Sequence, residues 1–164
     1  VLKSETQIER LYNKKKGIFF NYDIKNNKKI TVPSITNYFI LFADLKNQSI
    51  NKKIIKNLKN HNQKEKYLFS SIKPNYERFE EKRYWRGPVW INCNWIIYQG
   101  LKNKDKKFAQ IVKKKTIDLI KENGFFEYYN TNTGKAYGAK NFSWSASLFL
   151  DLQSENKNNL FNKF

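Results

Sequence analysis

The sequence predicts an all-α fold built from two concentric layers of helices, which is a partial α/α toroid. Helices that are apolar all round alternate along the chain with helices that are apolar on one face only, and long loops join them. Hydrophobic residues make up 40% of the chain and aromatic residues 16%, which is enough for a substantial core. The predicted helices are too few to close a ring. We therefore expect only part of a toroid, with short strands or hairpins in its loops.

The N-terminal elements are predicted to be one helix and one short extended segment. Ser4 suits the N-cap of a helix over Ser4–Lys16, which carries an apolar stripe at helical spacing, and Gly17 suits its end. Ile18–Tyr22 alternates weakly, as a short strand or an extended segment does. The Asn- and Lys-rich stretch Asp23–Lys29 predicts a loop or a hairpin turn.

Two further helices are predicted before the middle of the chain. Ile35–Leu45 is apolar over much of its circumference, so we expect it to be well buried. Asn51–Asn60 carries apolar residues on one face and lysines on the other, which is the pattern of an outer helix. His61 ends that helix and is interpreted as a surface residue. Tyr67–Arg78 contains a proline and is predicted to be irregular.

The second half of the chain predicts three helices. Pro88–Leu101, with a proline suited to its first turn, is apolar all round and is expected to be buried on every side. Asp105–Asn123 is amphipathic, with Gly124 as its C-cap. A last helix is predicted over Ser143–Leu152, and residues 153–164 are predicted to form a frayed polar tail.

The charge of the chain raises the possibility of nucleic-acid binding, but its composition argues against it. The formal net charge is +18, yet only four of the 32 basic residues are arginine. Arginine is the residue of bidentate phosphate and guanine recognition. The lysines are scattered along the chain beside many Asn, Ile, Phe and Tyr residues, all of which share A/T-rich codons. We interpret the lysines as solvated surface and expect no nucleic-acid partner.

The start of the chain and its rare residues indicate a piece of a longer polypeptide. The sequence begins at Val1 and contains no methionine. Cys93 is the single cysteine, which excludes an internal disulfide and a cysteine-based zinc site. No apolar run approaches 20 residues and no signal peptide is evident, so we expect no membrane partner. The compartment stays open, with the cytoplasm favoured.

Two segments carry the chemistry that the sequence suggests. Arg83–Leu101 and Gly124–Leu152 together contain every tryptophan of the chain. Glu127 lies among aromatic residues rather than among lysines. Aromatic faces beside an isolated carboxylate are what a sugar-cleaving pocket needs, because sugars stack on rings and the carboxylate can accept a proton.

These segments resemble glycoside hydrolase family 63, in its mannosylglycerate hydrolase-like branch. The first motif is Tyr84-Trp85-Arg86-Gly87-Pro88-Val89-Trp90-Ile91-Asn92, followed by Asn94-Trp95 and Gly100-Leu101. The second is Gly124-Phe125-Phe126-Glu127-Tyr128-Tyr129-Asn130, followed by Thr133-Gly134, Gly138 and Phe142-Ser143-Trp144-Ser145-Ala146. Thr131 and Lys135 depart from residues common in relatives, and neither departure touches Glu127. The resemblance implies a six-hairpin α/α toroid and an inverting mechanism with two carboxylates.

The resemblance also implies roles for single residues. Glu127 maps onto the general base of the family. The general acid is an Asp on an earlier loop of the toroid, expected upstream of Val1. Asp23 and Asp44 lie in segments without the family's acid motif and are not assigned that role. The N-terminal remainder of the toroid is thus an expected partner, and no metal or organic cofactor is called for.

Several candidate substrate-binding residues have two possible interpretations, contact with a sugar or a structural role. Trp85 is favoured as a sugar platform, whereas Trp90 and Trp144 fit a pocket or the core equally well. Arg86 suits sugar hydroxyls or an anionic aglycone, but it could equally brace its own loop. The full set of candidates for substrate binding is Tyr84, Trp85, Arg86, Trp90, Tyr128 and Trp144.

We therefore predict that residues 1–152 are the C-terminal portion of a catalytic toroid. The predicted enzyme is an inverting hydrolase of an α-linked glucosyl or mannosyl compound, such as a glycosylglycerate. The alternatives are a catalytically inactive fragment that only binds carbohydrate and, less favoured, a basic nucleic-acid-binding module.

Overall fold

The computed structural model describes residues 7–43, 45–61 and 65–161, with side chains as far as residue 154. Four α-helices carry the fold: α1 (Gln48–Lys59), α2 (Ile91–Leu101), α3 (Lys106–Asn123) and α4 (Ser143–Phe161). Two two-stranded antiparallel hairpins precede α1, another lies between α3 and α4, and irregular loops join the elements. The predicted all-α class with short hairpins in the loops is confirmed.

The N-terminal region forms two hairpins instead of the predicted helix Ser4–Lys16. Strand β1 (Tyr12–Asn13) pairs with β2 (Ile18–Phe19), and β3 (Asn21–Asp23) pairs with β4 (Lys28–Ile30). Of the described residues in the predicted span, only 7–9 are helical, and residues 1–6, including Ser4, lie outside the described residues. The expected extended segment Ile18–Tyr22 contributes to β2 and β3, and the expected turn over Asp23–Lys29 joins β3 to β4.

The contacts of Asn13 and Gly17 explain why the predicted helix is wrong. The Asn13 carboxamide accepts a hydrogen bond from the Lys16 amide at 2.8 Å, which closes a turn. Gly17 has a φ of +65°, and its carbonyl accepts from the Asn57 side chain at 2.8 Å. The rings of Tyr12 and Phe19 then meet across the strands at 5.1 Å. Contacts with α1 therefore override the local helical pattern.

The segment after the hairpins is a 3₁₀ helix over Ile35–Leu41, not the predicted α-helix Ile35–Leu45. Ser34 caps it by accepting from the Thr36 amide at 3.3 Å. Ile35 and Leu41 are fully buried, but Phe42 is 55% exposed, so the expected burial is confirmed only for part of the segment, and the type and end of the helix differ.

Helix α1 agrees with the predicted outer helix Asn51–Asn60 but begins earlier. Asn47 supplies the cap, because its carboxamide accepts from the Ile50 amide at 3.1 Å. His61, which follows α1, is only 2% exposed, so its interpretation as a surface residue is wrong. The histidine packs between the rings of Tyr38 and Phe69.

Helix α2 lies at the centre of the fold and contacts the 3₁₀ helix, α3 and α4. It begins at Ile91 rather than at Pro88, because Val89 is extended and bridges to both Ser70 and Tyr129. A Cβ on Gly100 would lie 2.7 Å from the Leu41 carbonyl carbon, so glycine permits the close crossing of α2 and the 3₁₀ helix.

The prediction that α2 is buried on every side is wrong for one face of the helix. Asn92, Trp95, Ile96 and Gln99 recur at helical spacing and are only half-buried. The rest of the helix is buried, and it carries much of the hydrophobic core together with α1 and α3.

Helix α3 agrees with the predicted span Asp105–Asn123. The Asp105 carboxylate accepts from the Phe108 amide at 3.0 Å at its start, and Gly124, with a φ of +82°, follows its last residue. Helix α4 runs to Phe161, so the predicted end at Leu152 is wrong, and residues 153–161 of the predicted tail continue the helix. Residues 162–164 lie outside the described residues. Within the described ranges, no helix combines the length and the apolar character needed to cross a bilayer.

Candidate active site

A bridge between two loops brings the two sequence motifs together. Strand β5 (Phe126–Tyr129) pairs with β6 (Ala136–Lys140), and Tyr129 in β5 also pairs with Val89. The Val89 amide donates to the Tyr129 carbonyl at 2.7 Å, and the Tyr129 amide donates back at 3.0 Å. Because Val89 directly precedes Trp90, this bridge places the tryptophan-bearing turn beside the strand that carries Glu127.

Aromatic rings from both motifs pack against one another. The indoles of Trp85 and Trp90 are stacked, with centroids 4.1 Å apart and planes 4° apart. Tyr128 stacks on Trp90 at 5.2 Å, and Tyr84 meets Trp90 and Tyr128 edge-on at 4.9 and 5.6 Å. We call Tyr84, Trp85, Trp90, Glu127 and Tyr128 the Glu127 cluster.

Exposure divides the roles within the Glu127 cluster. Trp90 is only 2% exposed, and its indole N–H donates to the Tyr84 carbonyl at 3.1 Å. Trp85 is 41% exposed, although Trp90 is stacked against its indole. Trp90 therefore supports the cluster from within, whereas Trp85 presents aromatic surface that a ligand can reach.

Glu127 is a half-buried residue, and its carboxylate has hydrogen-bond donors from two segments. Its Oε2 atom accepts from the Ala139 amide at 3.1 Å, and its side chain is hydrogen-bonded to that of Tyr84. Desolvation, followed by the bond to Glu127, raises the pKa of Tyr84 above its usual value of 10.0. In this contact the phenol is the hydrogen-bond donor and the carboxylate is the acceptor.

Arg86 forms an ion pair within its own loop. Its Nη1 donates to Glu80 Oε1 at 2.6 Å, and Arg83 lies 3.4 Å from the same oxygen. The hydrogen bond from Arg86 lowers the pKa of Glu80, and the positive charge of Arg83 lowers it further. The Glu80 amide also donates to the Arg86 carbonyl at 2.7 Å. These contacts correspond to the bracing role that the sequence left open for Arg86.

Asn130 links the end of β5 to the loop before the first motif. Its carboxamide oxygen accepts from the Asn132 and Thr133 amides at 2.8 and 2.9 Å, and its nitrogen donates to Glu81 Oε2 at 3.1 Å. Sequence reasoning quoted Asn130 in a motif but assigned it no role. Glu80 and Glu81, two acidic residues just before the first motif, were the sequence feature that could have indicated the contact with Asn130.

Trp144 lies at a different place from the Glu127 cluster. It is 52% exposed and lines a cavity of about 310 Å³ between α2 and α4. The residues that line this cavity are Asn92, Trp95, Ile96, Trp144, Ser147 and Leu148. No member of the Glu127 cluster is among them. Asn92 Oδ1 is buried there and has no hydrogen-bond partner among the described residues.

The sequence of the chain matches a described protein family and several curated relatives. Residues 2–145 match the family described as the mannosylglycerate hydrolase MGH1-like glycoside hydrolase domain. The chain is 34% identical over 153 residues to a mannosylglycerate hydrolase of Thermus thermophilus, covering 92% of this chain and 36% of that protein. A mannosylglycerate hydrolase of Rubrobacter radiotolerans is 27% identical over 152 residues, covering 90% and 34%.

A solved structure gives the same result for the fold. A glycoside hydrolase family 63 mannosylglycerate hydrolase of Thermus thermophilus, in complex with glucose, superposes with a TM-score of 0.85. It is 33% identical to this chain, and the match covers 92% of this chain and 39% of that one. The chain thus spans about a third of the length of the curated relatives it matches. It belongs to the MGH1-like glycoside hydrolase family, and its helices form part of an α/α toroid.

Proposed function

We propose that this chain, as a member of the MGH1-like glycoside hydrolase family, carries the general-base side of an inverting glycosidase site. The observation that carries the proposal is the placement of Glu127. The residue is half-buried, its carboxylate is held by donors from Ala139 and Tyr84, and it lies in a cluster with the exposed indole of Trp85. A sugar ring stacked on Trp85 would lie beside a group that accepts protons.

In the proposed reaction, Glu127 removes a proton from a water molecule. The water oxygen then bonds to the anomeric carbon, while the bond from that carbon to the glycosidic oxygen breaks. A carboxylic acid on the opposite side donates its proton to the leaving oxygen. The two carboxyl groups of an inverting pair stand about 6.5–9.5 Å apart, which leaves room for the water.

The general acid is proposed to come from the part of the family fold that this chain does not cover. Asp23 is committed to the β3–β4 turn, where it accepts from the Asn26 amide at 3.0 Å and from the Asn26 side chain at 2.7 Å. Asp44 lies outside the described residues. By itself, the chain then binds carbohydrate at most, which retains the alternative of an inactive binding fragment.

The proposed substrate is an α-linked mannosyl or glucosyl compound such as a glycosylglycerate. The names of the relatives support this, since they include mannosylglycerate hydrolases and a glucosylglycerate hydrolase of Mycolicibacterium hassiacum that is 29% identical over 85 residues. An anionic aglycone needs a cation, and Arg86 is the candidate beside Trp85.

The half-buried stripe of α2 is proposed to face the rest of the toroid. The cavity between α2 and α4 is mainly apolar, and Trp144 and Leu150 of α4 are 52% and 67% exposed. The unpartnered oxygen of Asn92 would accept a hydrogen bond from the facing segment. Trp144 would then pack at that contact and would not bind substrate.

The variant Glu127→Gln in the complete polypeptide tests the catalytic role. General-base assistance contributes about 10²–10⁴-fold, so we expect kcat on a glycosylglycerate to fall by about that factor while the fold is retained. Glu77→Gln is the matched control, because Glu77 is exposed and its partner among the described residues is Arg78, at 3.8 Å. Near wild-type turnover in a folded Glu127→Gln protein would refute the proposal.

A further inference from the structure

The hairpin that carries Glu127 contains a β-bulge at that residue. Phe126 pairs with Lys140, whereas Tyr128 pairs with Tyr137, so the register shifts between these two pairs. Glu127 on β5 therefore faces two residues on β6, namely Gly138 and Ala139. Bulges reorient side chains and occur often beside active sites.

Gly138 allows the β6 backbone to lie directly against the Glu127 side chain. Its φ is +74°, in the left-handed region that favours glycine. A Cβ at this position would lie 2.7 Å from Glu127 Cβ and 2.9 Å from Tyr128 Cε1, and closer still to Glu127 Oε2. Any side chain here would therefore displace the carboxylate, and the next residue along β6, Ala139, donates its amide to Oε2 at 3.1 Å.

Tyr84 approaches the same carboxylate from the other motif. Its side chain is hydrogen-bonded to Glu127, and Trp90 and Tyr128 hold its ring by edge-on contacts. Its backbone has a φ of +33°, which is sparsely populated for a bulky residue, and the Trp90 indole donates to its carbonyl at 3.1 Å. A strained residue that the surrounding contacts keep in place is typical of a functional site.

We infer that Gly138 and Tyr84 are positioning residues that fix the orientation of the Glu127 carboxylate for general-base catalysis. The inference rests on the proposed function and adds to it how the base is held. The bulge supplies one donor through the Ala139 amide, and the Tyr84 hydroxyl supplies the other. Both donors belong to the protein, so the carboxylate needs little reorientation when a sugar and a water molecule enter.

The test compares Gly138→Ala and Tyr84→Phe in the complete polypeptide with mannosylglycerate as substrate. Misplacing a catalytic group by about 1 Å can cost about 10²-fold, so we expect Gly138→Ala to lower kcat by about that factor. Tyr84→Phe keeps the ring contacts and removes only the hydroxyl, so we expect the loss of one hydrogen bond to lower kcat by about tenfold. In both variants KM should change much less than kcat, because sugar stacking on Trp85 is retained.

Gly134→Ala is the matched control for backbone strain. Gly134 lies in the same hairpin with a φ of +73°, but a Cβ there would meet Asn123 and Tyr67 rather than Glu127. We expect this variant to lose thermal stability much as Gly138→Ala does and to keep the wild-type kcat. Equal losses of kcat in both glycine variants, or an unchanged kcat in Tyr84→Phe, would overturn the inference. Activity retained in Glu127→Gln would instead refute the proposed function itself.

Discussion

Asn94 and Glu127 both place a planar polar group among aromatic and aliphatic side chains, but their surroundings differ. Asn94 is fully buried in α2. Its carboxamide oxygen accepts from the Phe69 amide at 2.9 Å, and its nitrogen donates to the Leu68 carbonyl and to Thr116 Oγ1, the latter at 3.1 Å. We call these groups the Asn94 network. Glu127 is half-buried and lies beside an exposed tryptophan.

The polar groups of the Asn94 network hold the fold together, whereas the polar group of the Glu127 cluster remains within reach of a ligand. The Asn94 network joins three parts of the chain, namely α2, the segment at Leu68–Phe69 and α3, and each of its bonds lies within the fold. A buried amide with all its partners stabilises one arrangement of the backbone. The Glu127 cluster also orders its polar group, but it leaves ring surface open to a ligand. We therefore expect changes in the network to alter stability and changes in the cluster to alter activity.

The largest expected effect on stability is that of Asn94→Leu. The variant keeps the number and branching of the side-chain heavy atoms but leaves the Phe69 amide and the Leu68 carbonyl buried without partners. Each such group costs about 1–3 kcal/mol, so we expect the free energy of unfolding to fall by roughly 3–5 kcal/mol. Urea unfolding followed by circular dichroism measures this. Asn92→Leu, two residues earlier on the half-buried stripe of α2, should change stability far less, and equal effects of the two variants would contradict the comparison.

The buried side chain of His61 makes the stability of the fold depend on pH. The Nε2–H group donates to the Ser70 carbonyl at 3.1 Å. Burial, partly offset by this bond and reinforced by Lys73, lowers the pKa of His61 to about 4 from 6.5. Between these values the unfolded chain binds a proton that the folded chain does not, so stability falls as pH drops from about 6.5 to about 4. The full difference corresponds to about 3 kcal/mol.

Urea unfolding at pH 7 and pH 4.5 tests this, with His61→Phe as the comparison. His61 is the single histidine of the chain, so the variant removes the whole histidine contribution. Carboxylates with lowered pKa values, such as Asp105, titrate in both proteins and cancel in the difference. If both proteins lose the same stability between the two pH values, His61 is not the group responsible. Activity of the complete polypeptide should not follow this titration, because His61 is not part of the Glu127 cluster.

Sequence alone predicted the features that neighbouring residues decide. Helix α3 was predicted to within a residue, because Asp105, Gly124 and an apolar stripe mark its ends and its face locally. The hairpin at Tyr12–Phe19 was missed, since it depends on the bond between Gly17 and the distant Asn57. The burial of His61 similarly depends on rings far along the chain, those of Tyr38 and Phe69.

The candidate site shows the same division. The two motifs contain Glu127 and its aromatic neighbours, so the sequence indicates these residues as candidates. The contact between the two motifs depends on the bridge between Val89 and Tyr129, which no local pattern indicates. The role of Gly138 depends on the register of a single bulge. Trp144, like Trp85, lies in one of the two motifs, and only the packing of α2 against α4 places it in a separate cavity.

Arg86→Lys gives the smallest expected effect and tests where the Glu127 cluster ends. The pair of Arg86 with Glu80 is partly exposed, and such pairs contribute little to stability, so we expect no measurable change in thermal unfolding. If Arg86 also binds the aglycone, KM should rise several-fold for a glycosylglycerate and stay unchanged for a neutral glycoside, because lysine cannot form the bidentate bonds of arginine. Arg83→Lys is the matched control, since Arg83 lies near the same Glu80 oxygen. Equal changes of KM for the anionic and the neutral substrate would restrict Arg86 to bracing its loop and would leave Trp85 as the outer boundary of the cluster.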